Sequence, residues 1–139
     1  MPPSEGVSWL LLLTVLSQVL GSTGIAEQDL KTNSVLCRGC GMEVADPHYL
    51  RVSPLSPHFL ERRNVSMFGS SLAVPVELLR NPAGFEFQVI SFSSGGCRGL
   101  GDWSGEASWY PGYLWRVCVC PQCGAQIGWM FEPEDTVDR

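Results

Sequence analysis

The feature that most constrains this 139-residue chain is a duplicated knuckle. Cys37-Arg38-Gly39-Cys40-Gly41 and Cys120-Pro121-Gln122-Cys123-Gly124 are both C-x-x-C-G. Two such knuckles supply four thiolates, the donor set of a closed tetrahedral zinc site. The glycine after each second cysteine permits a tight turn whose backbone N–H groups face the sulfurs. Seventy-nine residues lie between Cys40 and Cys120, far more than in a small zinc finger, so the metal is expected to clamp the two ends of one domain. A disulfide framework is the competing reading for an exported chain with six cysteines, but it gives no reason for the repeated motif. Cys97 and Cys118 lie outside the knuckles. A bridge between them and a pair of free buried thiols both remain open, because sequence does not give the ~4.4–6.8 Å Cα separation a bridge requires.

Export is suggested by the amino terminus. The first 26 residues contain no Lys or Arg, and Trp9 to Leu20 is a nearly unbroken apolar run. Twelve residues are too few to cross a bilayer core, which takes ~20 in a helix. They match the apolar region of a secretory signal peptide, and the small residues of "GSTGIA" follow. Residues 1–25 are therefore expected to be a cleaved signal peptide and 26–34 a polar linker. No other stretch is long and apolar enough to span a membrane, and residues 134–139 form a polar tail. A secreted, soluble domain is the expectation. Asn64-Val65-Ser66 is an N-glycosylation sequon, which matters only in the secretory pathway. The net charge of −5 and the single Lys31 leave no electrostatic footprint for nucleic acid.

Frequent Gly and Pro divide the rest into short segments. Residues 84–89 alternate Phe85, Phe87 and Val89 against Glu86 and Gln88, a half-buried strand pattern. Residues 114–119 set Trp115, Val117 and Val119 on one face, and residues 127–131 set Ile127, Trp129 and Phe131 on one face. The only helical candidate is "VPVELLR", residues 74–80, ended by Asn81-Pro82. The expected fold is mainly β, with two antiparallel sheets clamped by the four-cysteine zinc site.

Residues 35–133 resemble the CULT domain, the thalidomide-binding domain of cereblon. The resemblance rests on "CRGCG", the "NPAGF" turn, "SWYPGYLW", "CPQCG" and "IGWMF", in the family's order and near its spacings. It implies a zinc-clamped fold of two antiparallel sheets, related to methionine sulfoxide reductases of the B type. It also implies a cage of three tryptophans, here Trp109, Trp115 and Trp129. Phe131 falls at the base of that cage and Asn81 with Pro82 at its rim. The implied ligands are flat cyclic imides and related rings, inserted edge-on and hydrogen-bonded to the backbone around Ala107 and Trp109. Where this chain has Ala107, cereblon carries His. The resemblance does not reach cereblon's protease-like domain or its ligase-docking region, so it implies ligand binding rather than ligase function.

The residues support that cage in their own terms. Trp115 and Trp129 fall on successive strands around the second knuckle, where cross-strand partners lie close. Trp109 precedes Pro111-Gly112, a turn able to fold it over the same face. Packing into an ordinary core is the bland alternative. Three tryptophans within 21 residues, together with the motif order, favour the cage. Two rival functions remain. A methionine sulfoxide reductase needs a reactive thiolate beside its pocket, but no cysteine follows Cys123 and Cys118 could attack only in a rebuilt pocket, so no enzyme activity is expected. An aromatic cage for a cation is favoured by cation–π attraction, with Glu106 the only nearby carboxylate.

Overall fold

The computed structural model describes residues 8–12, 34–68 and 73–137. Most of the expected leader and linker, and residues 138–139 of the tail, lie outside the described residues. In chain order the strands are β1 (Ser8–Leu12), β2 (Val35–Leu36), β3 (Glu43–Ala45), β4 (Leu50–Arg51), β5 (Glu61–Ser66) and β6 (Ala73–Arg80). They continue as β7 (Glu86–Phe92), β8 (Arg98–Ser104), β9 (Tyr113–Val119) and β10 (Gln126–Pro133), followed by one helical turn, α1 (Glu134–Val137). The mainly β, antiparallel expectation holds. One sheet runs in the order β5-β6-β7-β1-β10-β9-β8 with β4 also paired to β7, and β2 with β3 forms a second, two-stranded sheet.

The large sheet consists of two antiparallel meanders, β5-β6-β7 and β10-β9-β8, joined by β1. β1 pairs antiparallel with β7 from Trp9↔Phe92 to Leu12↔Val89, and with β10 from Ser8↔Phe131 to Leu11↔Gly128. This strand falls inside the segment expected to be cleaved. Its removal would divide the sheet between β7 and β10. No helix among the described residues is long and apolar enough to cross a membrane.

Residues 74–80 are strand, not helix. Helix propensity in "ELLR" is a weak prior that tertiary pairing overrides. The side chains alternate between faces: Val74 and Val76 join one core cluster, and Leu79 joins the other. Pro75 is tolerated because it faces Asn64 of β5 alone, where the missing N–H breaks no second ladder. Asn81 to Phe85 then form a tight turn. The Asn81 carbonyl accepts from the Gly84 N–H at 2.9 Å, the Asn81 side chain accepts from the Phe85 N–H at 2.9 Å, and Gly84 sits at φ 90°. Glycine is the residue that adopts this φ without strain.

The sheet therefore has two buried faces. One carries Val74, Val76, Ile90, Phe92, Cys118, Ile127 and Met130, packed with Val35, Val44 and Ala45 of the small sheet. The other carries Leu79, Val89, Trp109, Tyr110, Trp129 and Phe131. Ile127 does not align with Trp129 and Phe131 as the sequence pattern suggests. The β9–β10 register shifts between Gln126 and Gly128, and this bulge sends Ile127 to the face opposite Trp129. Phe85 lies before β7 and is 65% exposed, so the alternation in that strand begins only at Phe87.

Candidate functional site

The two knuckles fold alike. In each, the glycine N–H donates to the first cysteine's carbonyl: Gly41 to Cys37 at 2.8 Å, Gly124 to Cys120 at 2.9 Å. Each first cysteine then donates its own N–H two residues past the knuckle's second cysteine, Cys37 to Met42 at 2.7 Å and Cys120 to Ala125 at 2.8 Å. The glycines have φ of 77° and 75°. The four sulfurs lie within 4.8 Å of one another, with Cys37–Cys123 and Cys40–Cys120 each at 3.6 Å. A tetrahedral ion with ~2.3 Å bonds to sulfur needs neighbours ~3.8 Å apart, so the set fits zinc. The N–H groups of Cys123 and then Gln122 hold the Cys120 thiol down at about 7 against the effect of burial. At Cys40 the N–H of Met42 lowers the pKa, but desolvation and three neighbouring sulfurs outweigh it and push the thiol up to about 12. Four crowded thiols resist joint ionisation, and a bound cation removes that conflict.

Cys97 and Cys118 are joined in a disulfide, with Cα atoms 5.6 Å apart. Cys118 is fully buried, and no cysteine is among the residues lining the cavity described next.

On the other face a cavity of ≈ 210 Å³ is lined by Asn81, Pro82, Glu106, Ala107, Trp109, Trp115, Trp129 and Phe131. Every ligand residue expected from the sequence is brought to it, and Glu106 joins them. The β6–β7 turn delivers Asn81 and Pro82, the β8–β9 connection delivers residues 106–109, and β9 pairs with β10 so that Trp115 faces Phe131 in register. Trp109 and Trp129 meet edge to face at 4.8 Å and 73°. Behind them Phe87 contacts Trp129 at 5.0 Å and 69°, a supporting role that its place in an alternating strand did not disclose. Trp115 packs against the cluster that holds both of these indoles and lines the same cavity.

Two of the three indole N–H groups are committed to backbone. Trp109 Nε1 donates to the Arg80 carbonyl at 2.9 Å and Trp115 Nε1 to the Glu106 carbonyl at 2.7 Å. Ala107 sits at φ 51°, a left-handed conformation that costs a non-glycine residue about 1–2 kcal/mol. Its N–H and carbonyl make no hydrogen bond among the described residues. The cavity thus combines apolar ring faces with a strained backbone segment whose polar groups are available, the usual composition of a small-molecule pocket. The carbonyl of Trp109 is not available in this way, because Ser56 Oγ donates to it at 2.6 Å.

No family model matches the chain. Comparison with curated proteins finds partial similarity to protein cereblon. Identity is 32% over 66 residues with the Xenopus tropicalis protein and 33% over 66 residues with the Gallus gallus protein, 47% of this chain in each case. With the Drosophila grimshawi protein it is 43% over 35 residues. The chain spans 15% of the length of the two vertebrate relatives and 5% of the fly relative.

Proposed function

We propose that this chain is a secreted, zinc-containing binding module whose three-tryptophan cage takes flat cyclic imides or related rings, and that it acts without catalysis. The observation that carries this reading is the convergence of Trp109, Trp115, Trp129 and Phe131, with Ala107 and the Asn81-Pro82 turn, on one cavity of ≈ 210 Å³. That volume is below the ~300–1,000 Å³ of drug-sized sites, which suits a single ring. Cys37, Cys40, Cys120 and Cys123 would hold the zinc. Its part is structural, since four protein ligands leave no open coordination position. The unpaired backbone groups of Ala107 would satisfy the ring's N–H and carbonyl, and the indoles would cover its faces. Partial similarity to cereblon and the Cys97–Cys118 disulfide support, respectively, the ligand class and an oxidising compartment. Asn64 is exposed on the outer strand β5, where a glycan would be accommodated. Its occupancy is checked by a mobility shift on glycosidase treatment.

The test is a titration of tryptophan fluorescence with glutarimide. About eight heavy atoms at ~0.6–0.9 kcal/mol each give about −5 to −7 kcal/mol, a Kd between hundreds and a few micromolar. N-methylglutarimide should bind at least ~10-fold more weakly, because a methyl replaces the donor that would meet the Ala107 carbonyl. A second reading is favoured by one observation, the presence of Glu106 in the lining: a small quaternary ammonium ion would be held by the indole faces and that carboxylate. Tetramethylammonium saturating the cavity while glutarimide does not would replace the first reading by the second.

A further inference from the structure

Beneath the cavity, outside its lining, lies a buried carboxylate. Glu77 is 2% exposed on the face of β6 that also presents Leu79. Its Oε1 accepts from the Ser56 N–H at 2.9 Å and from Arg62 Nη2 at 2.8 Å, and its Oε2 accepts from the Tyr110 hydroxyl at 3.0 Å. Each of two partners leads to a wall of the cage. Ser56, 1% exposed, donates Oγ to the Trp109 carbonyl at 2.6 Å. The Tyr110 ring packs edge-on against Phe131 at 4.9 Å. Arg62 closes the group by donating to the Ser56 carbonyl at 2.9 Å.

Such a cluster is an expensive way to fill space. A buried ion pair is often no more stabilising than apolar side chains of the same volume, and the neighbours Leu79 and Val89 show what this face otherwise accepts. What the network adds is direction, since each bond fixes an angle that apolar packing leaves loose. Burial first, and then the charge of Glu77, hold the Tyr110 phenol far above its usual range, so it remains a donor throughout the physiological pH range.

We propose that Glu77, acting through Ser56 and Tyr110, is a positioning residue that sets the Trp109 and Phe131 walls of the cage and thereby the affinity for the ring. The inference rests on the cage reading above. Trp109 is held at two points, its indole N–H by Arg80 and its carbonyl by Ser56. Only the second belongs to the network. The Trp115 indole N–H donates to the Glu106 carbonyl, which lies outside the network, and serves as an internal control for Ser56→Ala and Glu77→Gln.

Three substitutions dissect the network on the intact, metal-loaded chain. Ser56→Ala removes one hydroxyl donor, Tyr110→Phe another, and Glu77→Gln the charge. Two quantities are read well below the melting temperature: the Kd for glutarimide, and the indole N–H resonances of Trp109 and Trp115 by NMR. Ser56→Ala and Glu77→Gln are expected to weaken glutarimide about five- to tenfold, the effect of one lost hydrogen bond. The Trp109 resonance should move or broaden while that of Trp115 stays. A lower melting temperature with unchanged Kd and an unchanged Trp109 resonance would mean a purely structural role and overturn the inference. If Glu77→Gln does not fold, Ser56→Ala and Tyr110→Phe decide by the same readouts. If the unsubstituted chain ignores glutarimide, the ring reading fails, and the Trp109 resonance still decides whether the network positions that wall.

Discussion

The cysteine clamp and the tryptophan cavity belong to opposite faces of one sheet, and they depend on the chain in different ways. Each half of the clamp is a five-residue turn that folds on its own hydrogen bonds, and the long-range event is only the meeting of two finished halves. The cavity has no finished parts. Its lining comes from the β6–β7 turn, the β8–β9 connection, and strands β9 and β10, and no segment has a concave surface before the others arrive. Loss of the clamp is therefore expected to take the fold with it, whereas loss of the cavity is expected to leave the fold standing.

The largest test of that asymmetry is removal of the clamp. Structural zinc contributes on the order of 10–16 kcal/mol in small peptides, comparable to or above the ~5–15 kcal/mol net stability of a domain. Cys120→Ser, or chelation of the metal, is expected to unfold the chain or prevent its secretion, and ring binding should vanish with the fold. Circular dichroism and metal content on the same sample check it. Folded protein carrying a Cys37–Cys40 or Cys120–Cys123 disulfide would show that no metal is needed.

Trp115→Ala should give the converse. Trp115 is half-buried at the edge of the cavity, so its loss should cost less than the ~3–5 kcal/mol of a fully buried Trp→Ala change. Ring binding should nonetheless fall at least ~100-fold, because one face of the slot opens to water. Melting and titration on one preparation separate the two terms. A full core-type stability loss with no ligand response in the parent protein would return the tryptophans to ordinary packing.

The same asymmetry decides what the sequence disclosed. The clamp was legible because identity and spacing within a knuckle determine its turn. The cavity residues were legible only as an ordered set of motifs, since a tryptophan by itself does not announce whether its ring is covered by protein or by ligand. Three features were not legible. β6 reads as helical because "ELL" favours a helix until strand pairing with β5 and β7 is available. The bulge at Ile127 depends on the register of β9 against β10, which local periodicity does not encode. Glu77 looks like an ordinary surface charge, because its partners Ser56, Arg62 and Tyr110 lie 15 to 33 residues away. Its one local signal is that it shares the strand face of Leu79.

A middle case is the Cys97–Cys118 disulfide, which ties the start of β8 to β9 across 21 residues. Closing a loop of this length restricts the unfolded chain by about 3 kcal/mol. Cys97→Ser should lower the melting temperature by several degrees, leaving metal content intact and ring affinity nearly so, because neither cysteine is one of the four clamp ligands or a lining residue of the cavity. Non-reducing peptide mapping checks the pairing directly, and alkylation of both thiols in native protein would contradict it.

The smallest expected effect concerns the join between the two meanders. β1 lies in the segment proposed as a leader, so a secreted form would lack the strand between β7 and β10. Without β1 the two meanders still share a core, in which Val74, Val76, Ile90 and Phe92 pack with Cys118, Ile127 and Met130, and the Trp109 indole still bonds to Arg80, so both metal binding and ring binding should survive cleavage. The backbone groups of residues 89–92 and 128–131 that pair with β1 in the uncleaved chain would then exchange with solvent. Hydrogen exchange on the precursor and on protein recovered from medium should differ at those two stretches and little elsewhere. Intact Met1 on the recovered protein would argue against the leader. Cleaved protein that no longer holds its metal would show instead that β1 is an obligatory strand, and that the two meanders form one sheet by necessity.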